Sequence, residues 1–322
     1  MDPLVSVVMP MRNAEPFVRQ ALQSVLCETA VALEVVVVDD GSIDGSRREV
    51  DALADPRVRL VPGPQRGIAA CLNTGFEAAR GRIIMRCDAD DLFPSGRIGN
   101  QLAWLEAHPD YIAVCGGFNT IDRQGRPVSQ MSTSGLSESE DIDAELCCGV
   151  TRTSLCTYAL RKSSLARIGL FREYFETSED LDYQFRVGEA GRVRYLPSSA
   201  YFYRLHSSSV THTQRDGRRA FFEDMARRFL EQRRSDGTDA LMKGAPPAPP
   251  SPLHGGAPSL GRHLHEMLMG QAWRDLESGR AQIAISNAWR AVASDLSSAS
   301  VWKDAVVLTL KATLTRRRDP ER

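Results

Sequence analysis

Three short runs of this sequence concentrate carboxylates, Asp39-Asp40, Asp88-Ala89-Asp90-Asp91 and Glu179-Asp180, and in the densest, 88–91, mutual repulsion costs stability unless a cation or donors neutralise it. Three acids within four residues at 88–91 suit a hard divalent cation such as Mg2+ or Mn2+. Such a cation takes oxygen ligands and keeps one or two protein carboxylates beside substrate phosphate oxygens. Taken alone, an Asp-x-Asp run is more commonly a solvated acidic turn, so its position in the fold must decide. Asp39-Asp40, followed by Gly41, Ser42 and Asp44, reads either as a turn with a helix cap or as carboxylates that accept hydrogen bonds from a nucleobase ring N–H or ribose hydroxyls. Thr177-Ser178-Glu179-Asp180 opens a helical stretch, where acids are favoured by the macrodipole. An Asp kept ionised at that point also has what a general base acting on a hydroxyl requires. Arg204 and His206 form an Arg-x-His pair after a short strand, suited to a diphosphate or to completing a metal shell, although a lone His is more often structural. His263 and His265 have no Cys or carboxylate constellation around them and read as surface residues.

The elements that carry these runs alternate. Leu4–Met9 is an apolar run closed by Pro10; Glu34–Val38 is a β-branched run ending at Asp39; Ile83–Met85 leads into Asp88. Arg57–Val61 is a further strand candidate. Helical spacing marks Phe17, Ala21, Leu22, Val25 and Leu26 after Pro16, then Ile68–Ala79 and Glu179–Ala190, the last stopped by Gly191. Leu155–Leu160 and Tyr201–Leu205 read as later strands. Strands alternating with helices predict an α/β fold with a mostly parallel sheet flanked by helices. Ligands of such sheets bind beyond the carboxyl ends of the strands, where both Asp39-Asp40 and Asp88–Asp91 fall.

The 322 residues hold 40 Lys and Arg against 41 Asp and Glu, a net charge of −1 that gives no global argument for nucleic acid as a partner. The seven cysteines show no C-x-x-C pair, which disfavours zinc ribbons and thioredoxin-like chemistry. The first strand begins almost at Met1 with no secretory pattern before it, and no apolar run approaches the roughly 18 residues a membrane span needs; a cytoplasmic protein is the expectation.

The ordered set VSVVMPMRNAEPFVRQALQSVL, EVVVVDDGSIDGS, GIAACLNTGFEAARGRIIMRCDADD, SEDLDYQFR and YRLHSSSV resembles the inverting glycosyltransferases of family 2, of the GT-A fold, over roughly residues 4–212. The resemblance implies a nucleotide-sugar donor, UDP-linked by family habit, an Mn2+ or Mg2+ cofactor, and a saccharide or glycolipid acceptor in surface polysaccharide synthesis. It also implies roles. Asp40, with Asp39, contacts the base; Asp88 lies near the ribose; Asp90 holds the metal that bridges the diphosphate; Asp180 is the base on the acceptor hydroxyl. Arg204 and His206 fall near diphosphate or metal, Arg66 is a candidate phosphate contact, and Pro10 joins the donor-contacting set. One departure concerns Pro94, which stands one position early and is followed by Ser95-Gly96-Arg97, so the loop after Asp91 is expected to differ in shape.

The expected organisation is a GT-A domain over 1–215, a helical extension over 216–242, a Pro/Gly-rich linker over 243–260 and a small all-α module over 261–322. Arg316-Arg317-Arg318 reads as a solvated C-terminus or as a peripheral contact with an anionic membrane face. Three rival functions use part of the same set. A nucleotidyltransferase wants a Gly-rich phosphate loop, and the sequence has no G-x-G. A phospho-accepting receiver domain wants its acid pair after the first strand rather than the second. A non-catalytic nucleotide-binding protein with an interaction tail would not need the intact acidic set.

Overall fold

The computed structural model describes residues 4–129, 139–206, 217–251, 268–270, 272–273, 276, 281–294 and 299–318. The chain divides into two compact units. The first comprises 1–119, 131–204 and 217–251, the second 120–130, 205–216 and 252–322.

The first unit is built on β1 (Val5–Met11), β2 (Leu33–Asp39), β3 (Val58–Pro62) and β4 (Ile83–Arg86), all parallel, in the order β3-β2-β1-β4. Every residue of β1, β2 and β4 is buried. That is why the Val35–Val38 run is continuous instead of alternating: a parallel strand covered on both faces has no solvent side. One face packs Val5, Val7, Met9, Val35 and Val37 against α1 (Val18–Leu26) and α4 (Arg97–Ala107). The other packs Val8 and Ile84 against Leu72 and Phe76 of α3 (Ile68–Ala78) and Tyr183 and Val187 of α7 (Glu179–Ala190). A Cβ on Gly75 would stand 2.2 Å from Val8 Cγ1, so α3 lies flush on β1 only because that position has no side chain.

The sheet continues from β4 through β8 (Ala159–Arg161), β5 (Tyr111–Ile121), β9 (Arg192–Arg204) and β7 (Glu140–Asp141). Here β8 pairs antiparallel with both β4 and β5, and β7 pairs antiparallel with β9, so the sheet is mixed beyond its parallel half. The strand expected over Leu155–Leu160 is split. Ser154 Oγ accepts the Cys156 N–H at 3.3 Å and closes a 3-10 turn over Leu155–Thr157, which leaves only Ala159–Arg161 extended. The late strand is much longer than Tyr201–Leu205, because β9 begins at Arg192.

Pro10 lies inside β1 instead of closing it. Carbonyls alternate sides along the strand: Met11 accepts the Asp40 N–H at 2.8 Å and Val8 accepts the Cys87 N–H at 3.0 Å. Pro10 therefore faces β4, which has already ended at Arg86, and its missing N–H breaks no ladder bond.

Short α2 (Ser46–Asp51), α5 (Asp143–Leu146) and α6 (Leu165–Ile168) complete the loops, and α8 (Gly217–Asp236) closes the unit. Phe222, Met225, Phe229 and Leu230 of α8 share a core with Phe175 and Phe185, so the expected helical extension is an integral layer of this unit. The proline-rich segment is fastened at its start, where Tyr174 donates to the Pro247 carbonyl at 2.7 Å; residues 252–260 of the expected linker lie outside the described residues.

In the second unit, Thr120 and Ile121 pair antiparallel with β6 (Pro127–Ser129). Helices α9 (Ala281–Ser294) and α10 (Ala299–Arg318) pack together, burying Ala284, Ala288, Ala291 and Val292 with Ala305, Leu308 and Ala312. They are the second and third helices expected of the tail. His263, His265 and most of the first fall outside the described residues.

Candidate active site

The two strand-end acid runs meet across β1. Asp39 is in register with Met11, and Arg86, two residues before Asp88, is in register with Val8. Neighbouring strands are about 4.8 Å apart, so β2 and β4, on either side of β1, deliver their acids within about 10 Å of each other. Cys71 of α3 reports the same convergence. Burial, then the charge of Asp40, pushes its thiol up to about 12, and the charges of Arg86 and Asp88 also reach it.

Asp39 and Asp40 are both buried but differ in use. Asp39 Oδ1 accepts the Ser42 N–H at 2.9 Å and its Oδ2 meets Arg47 Nε at 3.0 Å, so this carboxylate closes the turn. The helix-capping part of the alternative reading falls to Asp44, whose Oδ1 accepts the Ser46 N–H at 3.0 Å. Asp40 Oδ1 accepts the Gln65 N–H at 2.7 Å; its Oδ2 has no hydrogen bond among the described residues. Gly63 makes this close approach possible, since a Cβ there would stand 2.8 Å from both Cα and Oδ1 of Asp40.

At the end of β4, Arg86 grips Asp88 with two bonds, Nε to Oδ1 at 2.6 Å and Nη2 to Oδ2 at 3.0 Å. The Asp88 N–H donates to the Tyr201 hydroxyl at 2.9 Å. Asp91 turns inward and accepts the Arg204 N–H at 2.6 Å. Burial pushes its carboxyl well above the usual range, with the charges of Asp90 and Asp88 acting in the same direction. Arg204 is fully buried, and its Nε donates to the Asp90 carbonyl at 2.6 Å while Nη2 donates to Gln20 Oε1 at 2.8 Å. The side chain expected beside the diphosphate thus holds the shape of the Asp90-Asp91 turn. Asp90 itself is half-buried.

The third run joins through the same arginine. Arg86 Nη1 donates to Glu179 Oε1 at 3.2 Å, with both side chains only 9% exposed. One buried guanidinium therefore ties the strand-end turn to the first residue of α7. Burial, then repulsion from Asp180, pushes Glu179 up to about 7, against the pull of Arg86. Ser178, one residue earlier, sits at φ +59°, which is uncommon for a residue with a side chain. No side-chain cap bond closes the helix start, and Ser178 Oγ is buried without a partner. Glu179, Asp180 and Asp182 do lie in the first turn, where the macrodipole favours acids, but no side-chain cap bond accounts for this segment. Asp180 is half-buried, and no hydrogen bond or ion pair holds its carboxylate among the described residues.

Residues 6–169 match the family model for glycosyl transferase family 2. The chain belongs to this family. Its relatives include the uncharacterized Bacillus subtilis glycosyltransferase EpsJ, 30% identical over 66% of this chain and 64% of that protein. Pasteurella multocida chondroitin synthase is 26% identical over 65% of this chain and 21% of its own length. The match thus spans less than two thirds of these relatives. Among solved structures, Staphylococcus aureus TarS 1–349 in complex with UDP-GlcNAc superposes with a TM-score of 0.59 at 17% identity, covering 98% of this chain and 91% of that one. The fold is GT-A.

Within this family 2 chain, no three or more His, Cys, Asp or Glu side chains gather into a metal cage among the described residues. A cation bound mainly through a diphosphate needs no such cage, only one or two carboxylates. Half-buried Asp90 fits that part. Asp91 does not, being 1% exposed and committed to Arg204. His206 is buried in the second unit, and the rest of its motif, Ser207–Val210, lies outside the described residues. Arg66 is exposed and paired with Glu173 at 3.3 Å, on the loop between β3 and α3.

The sequence reading missed Arg86 and the part played by Glu179. A single cation ending the apolar run Ile83–Met85, directly before an acid cluster, was the available signal. The early Pro94 is accommodated by Gly96 at φ +76° and by Arg97, whose guanidinium lies 3.8 Å from the Phe93 ring centroid and donates to the Cys156 carbonyl at 2.7 Å. Burial lowers Arg97 to about 10, which leaves it cationic at neutral pH.

Proposed function

We propose that this chain transfers a sugar, as a hexosyl or N-acetylhexosaminyl group, from a UDP-linked donor to an acceptor hydroxyl with inversion at the anomeric carbon. The observation that carries this reading is the Arg86 bridge, which brings the Asp88–Asp91 turn and the start of α7 to one mouth of the sheet beside Asp40. UDP-GlcNAc bound to TarS and the chondroitin synthase relative support the donor class and a saccharide acceptor.

In this reading Asp40 accepts a hydrogen bond from the uracil ring N–H through Oδ2, and Asp88 lies toward the ribose. Pro10, beside the end of β4, contributes a rigid wall under the nucleotide, and exposed Arg66 exchanges Glu173 for a phosphate oxygen. Asp90 would hold Mn2+ or Mg2+, which when bound would offset the charge that grows on the departing nucleoside diphosphate. Arg204 is a positioning residue that fixes the carbonyl of Asp90. Asp180 takes the proton from the acceptor hydroxyl as its oxygen attacks the anomeric carbon. Asp180 is preferred to Glu179 as base because Glu179 is 7% exposed and bonded to Arg86, whereas Asp180 is half-buried and uncommitted.

A thermal-shift screen of nucleotide sugars with and without Mn2+ tests the reading, since a ligand that binds the folded chain raises its melting temperature. UDP sugars should stabilise the protein in a metal-dependent way. Equal or absent shifts for all nucleotides would overturn the donor assignment, and a retained anomeric configuration in the product would overturn the single displacement.

A further inference from the structure

Among the described residues nine large apolar side chains are exposed, and six of them lie on the α9–α10 pair: Ile283, Trp289, Trp302, Val306, Val307 and Leu310. The concentration is not a scatter of ordinary surface residues. Trp302, Val306 and Leu310 recur every four residues on α10 and are 41%, 43% and 59% exposed, so they form one stripe along the helix. The Trp289 ring meets Trp302 edge-on at 5.9 Å and widens the stripe at one end. The inward side of α10, through Ala305, Leu308 and Ala312, is fully buried. The helix therefore has two apolar faces, and only one is covered within the pair.

Charge selects the occupant. Residues 281–318 carry six Lys and Arg against two Asp, a net +4, while the remaining residues carry −5. Lys303 and Lys311 each follow a stripe residue directly, and Arg316-Arg317-Arg318 ends the helix. A symmetric second copy would bring together two segments that each carry a net +4. No described helix is long and apolar enough to cross a membrane. We propose that the outer face of α9–α10 lies in the surface of an anionic lipid bilayer, with Trp302, Val306 and Leu310 in the headgroup boundary and the basic residues on lipid phosphates. The proposal stands apart from the catalytic reading, because its readout is binding to lipid.

The test is co-sedimentation of the full chain with sucrose-loaded vesicles of phosphatidylglycerol in phosphatidylcholine and of phosphatidylcholine alone, at low and high salt. We expect sedimentation with the anionic vesicles only, release by salt, and a blue shift of tryptophan fluorescence on binding. Replacing Trp302, Val306 and Leu310 together by Ser should abolish binding while circular dichroism and nucleotide-induced thermal shifts stay as in the parent. Replacing Arg316, Arg317 and Arg318 by Gln should weaken binding by roughly 100-fold. A chain that stays in the supernatant with anionic vesicles, or binds equally after the Ser substitutions, would overturn the proposal. So would a solution dimer, seen by light scattering, that the Ser substitutions split, since the face would then belong to a second copy.

Discussion

At the scale of single residues, the site turns on Arg86, which links two of its three acid runs. Arg86 is 9% exposed and holds Asp88 and Glu179 at once. Its removal strands two carboxylates, so Arg86→Met should cost about 3–5 kcal/mol of stability by denaturant unfolding, and Arg86→Lys should restore stability better than it restores turnover, because one ammonium cannot reproduce the fork on Asp88. Asp180→Asn should leave donor affinity intact and lower kcat by about 100–10,000-fold, the range a positioned base contributes; near-normal turnover would assign the base elsewhere. Glu179 has a folded-state pKa of about 7, raised from 4.5. The folded chain therefore holds a proton that the unfolded chain has released, and this residue's contribution falls as pH rises from 4.5 to 7. Relative to the parent, Glu179→Gln should gain stability steadily across that window, as measured by urea unfolding at a series of pH values. A constant difference would contradict the burial of this acid. The acids were legible from their types and order alone. Arg86 was not, because a strand-end arginine is usually solvated and nothing local says that it reaches across 93 residues to Glu179.

At the scale of elements, the parallel half of the sheet was written plainly in the sequence. β1, β2 and β4 are buried on both faces and so appear as unbroken apolar runs. The antiparallel half was obscure for a physical reason. β7 and β8 are two and three residues long and take their extended shape from their neighbours, too short for any period to show. Helix α3 shows how tightly the readable half is assembled. Ala in place of Gly75 would favour the helix by about 1 kcal/mol on propensity, yet its Cβ would fall 2.2 Å from Val8 Cγ1. We expect Gly75→Ala to destabilise the protein on balance, with a lower midpoint in thermal unfolding, because overpacking at a helix–sheet contact costs about 1–3 kcal/mol.

At the scale of the whole molecule, Asp40, Asp88, Asp90 and Asp180 all fall in the first unit, together with α8 and the fastened start of the proline-rich segment. Nucleotide affinity should therefore survive removal of residues 252–322, and calorimetry on the shortened chain checks this. A lost or much weakened affinity would give the tail a part in the donor site. The tail's helices were legible as helices, but their outward stripe was not, since apolar residues at helical spacing look the same in sequence whether they face a core or the outside. Acids from β2 and β4 must serve one nucleotide if this site transfers sugar as proposed. The most direct measurement is calorimetric titration of UDP in the presence of Mn2+ against the parent, Asp40→Asn and Asp90→Ala. Both substitutions should weaken binding, with the Mn2+ dependence lost only in Asp90→Ala; parental affinity in either variant, or a Mn2+ dependence retained by Asp90→Ala, would contradict a shared nucleotide site.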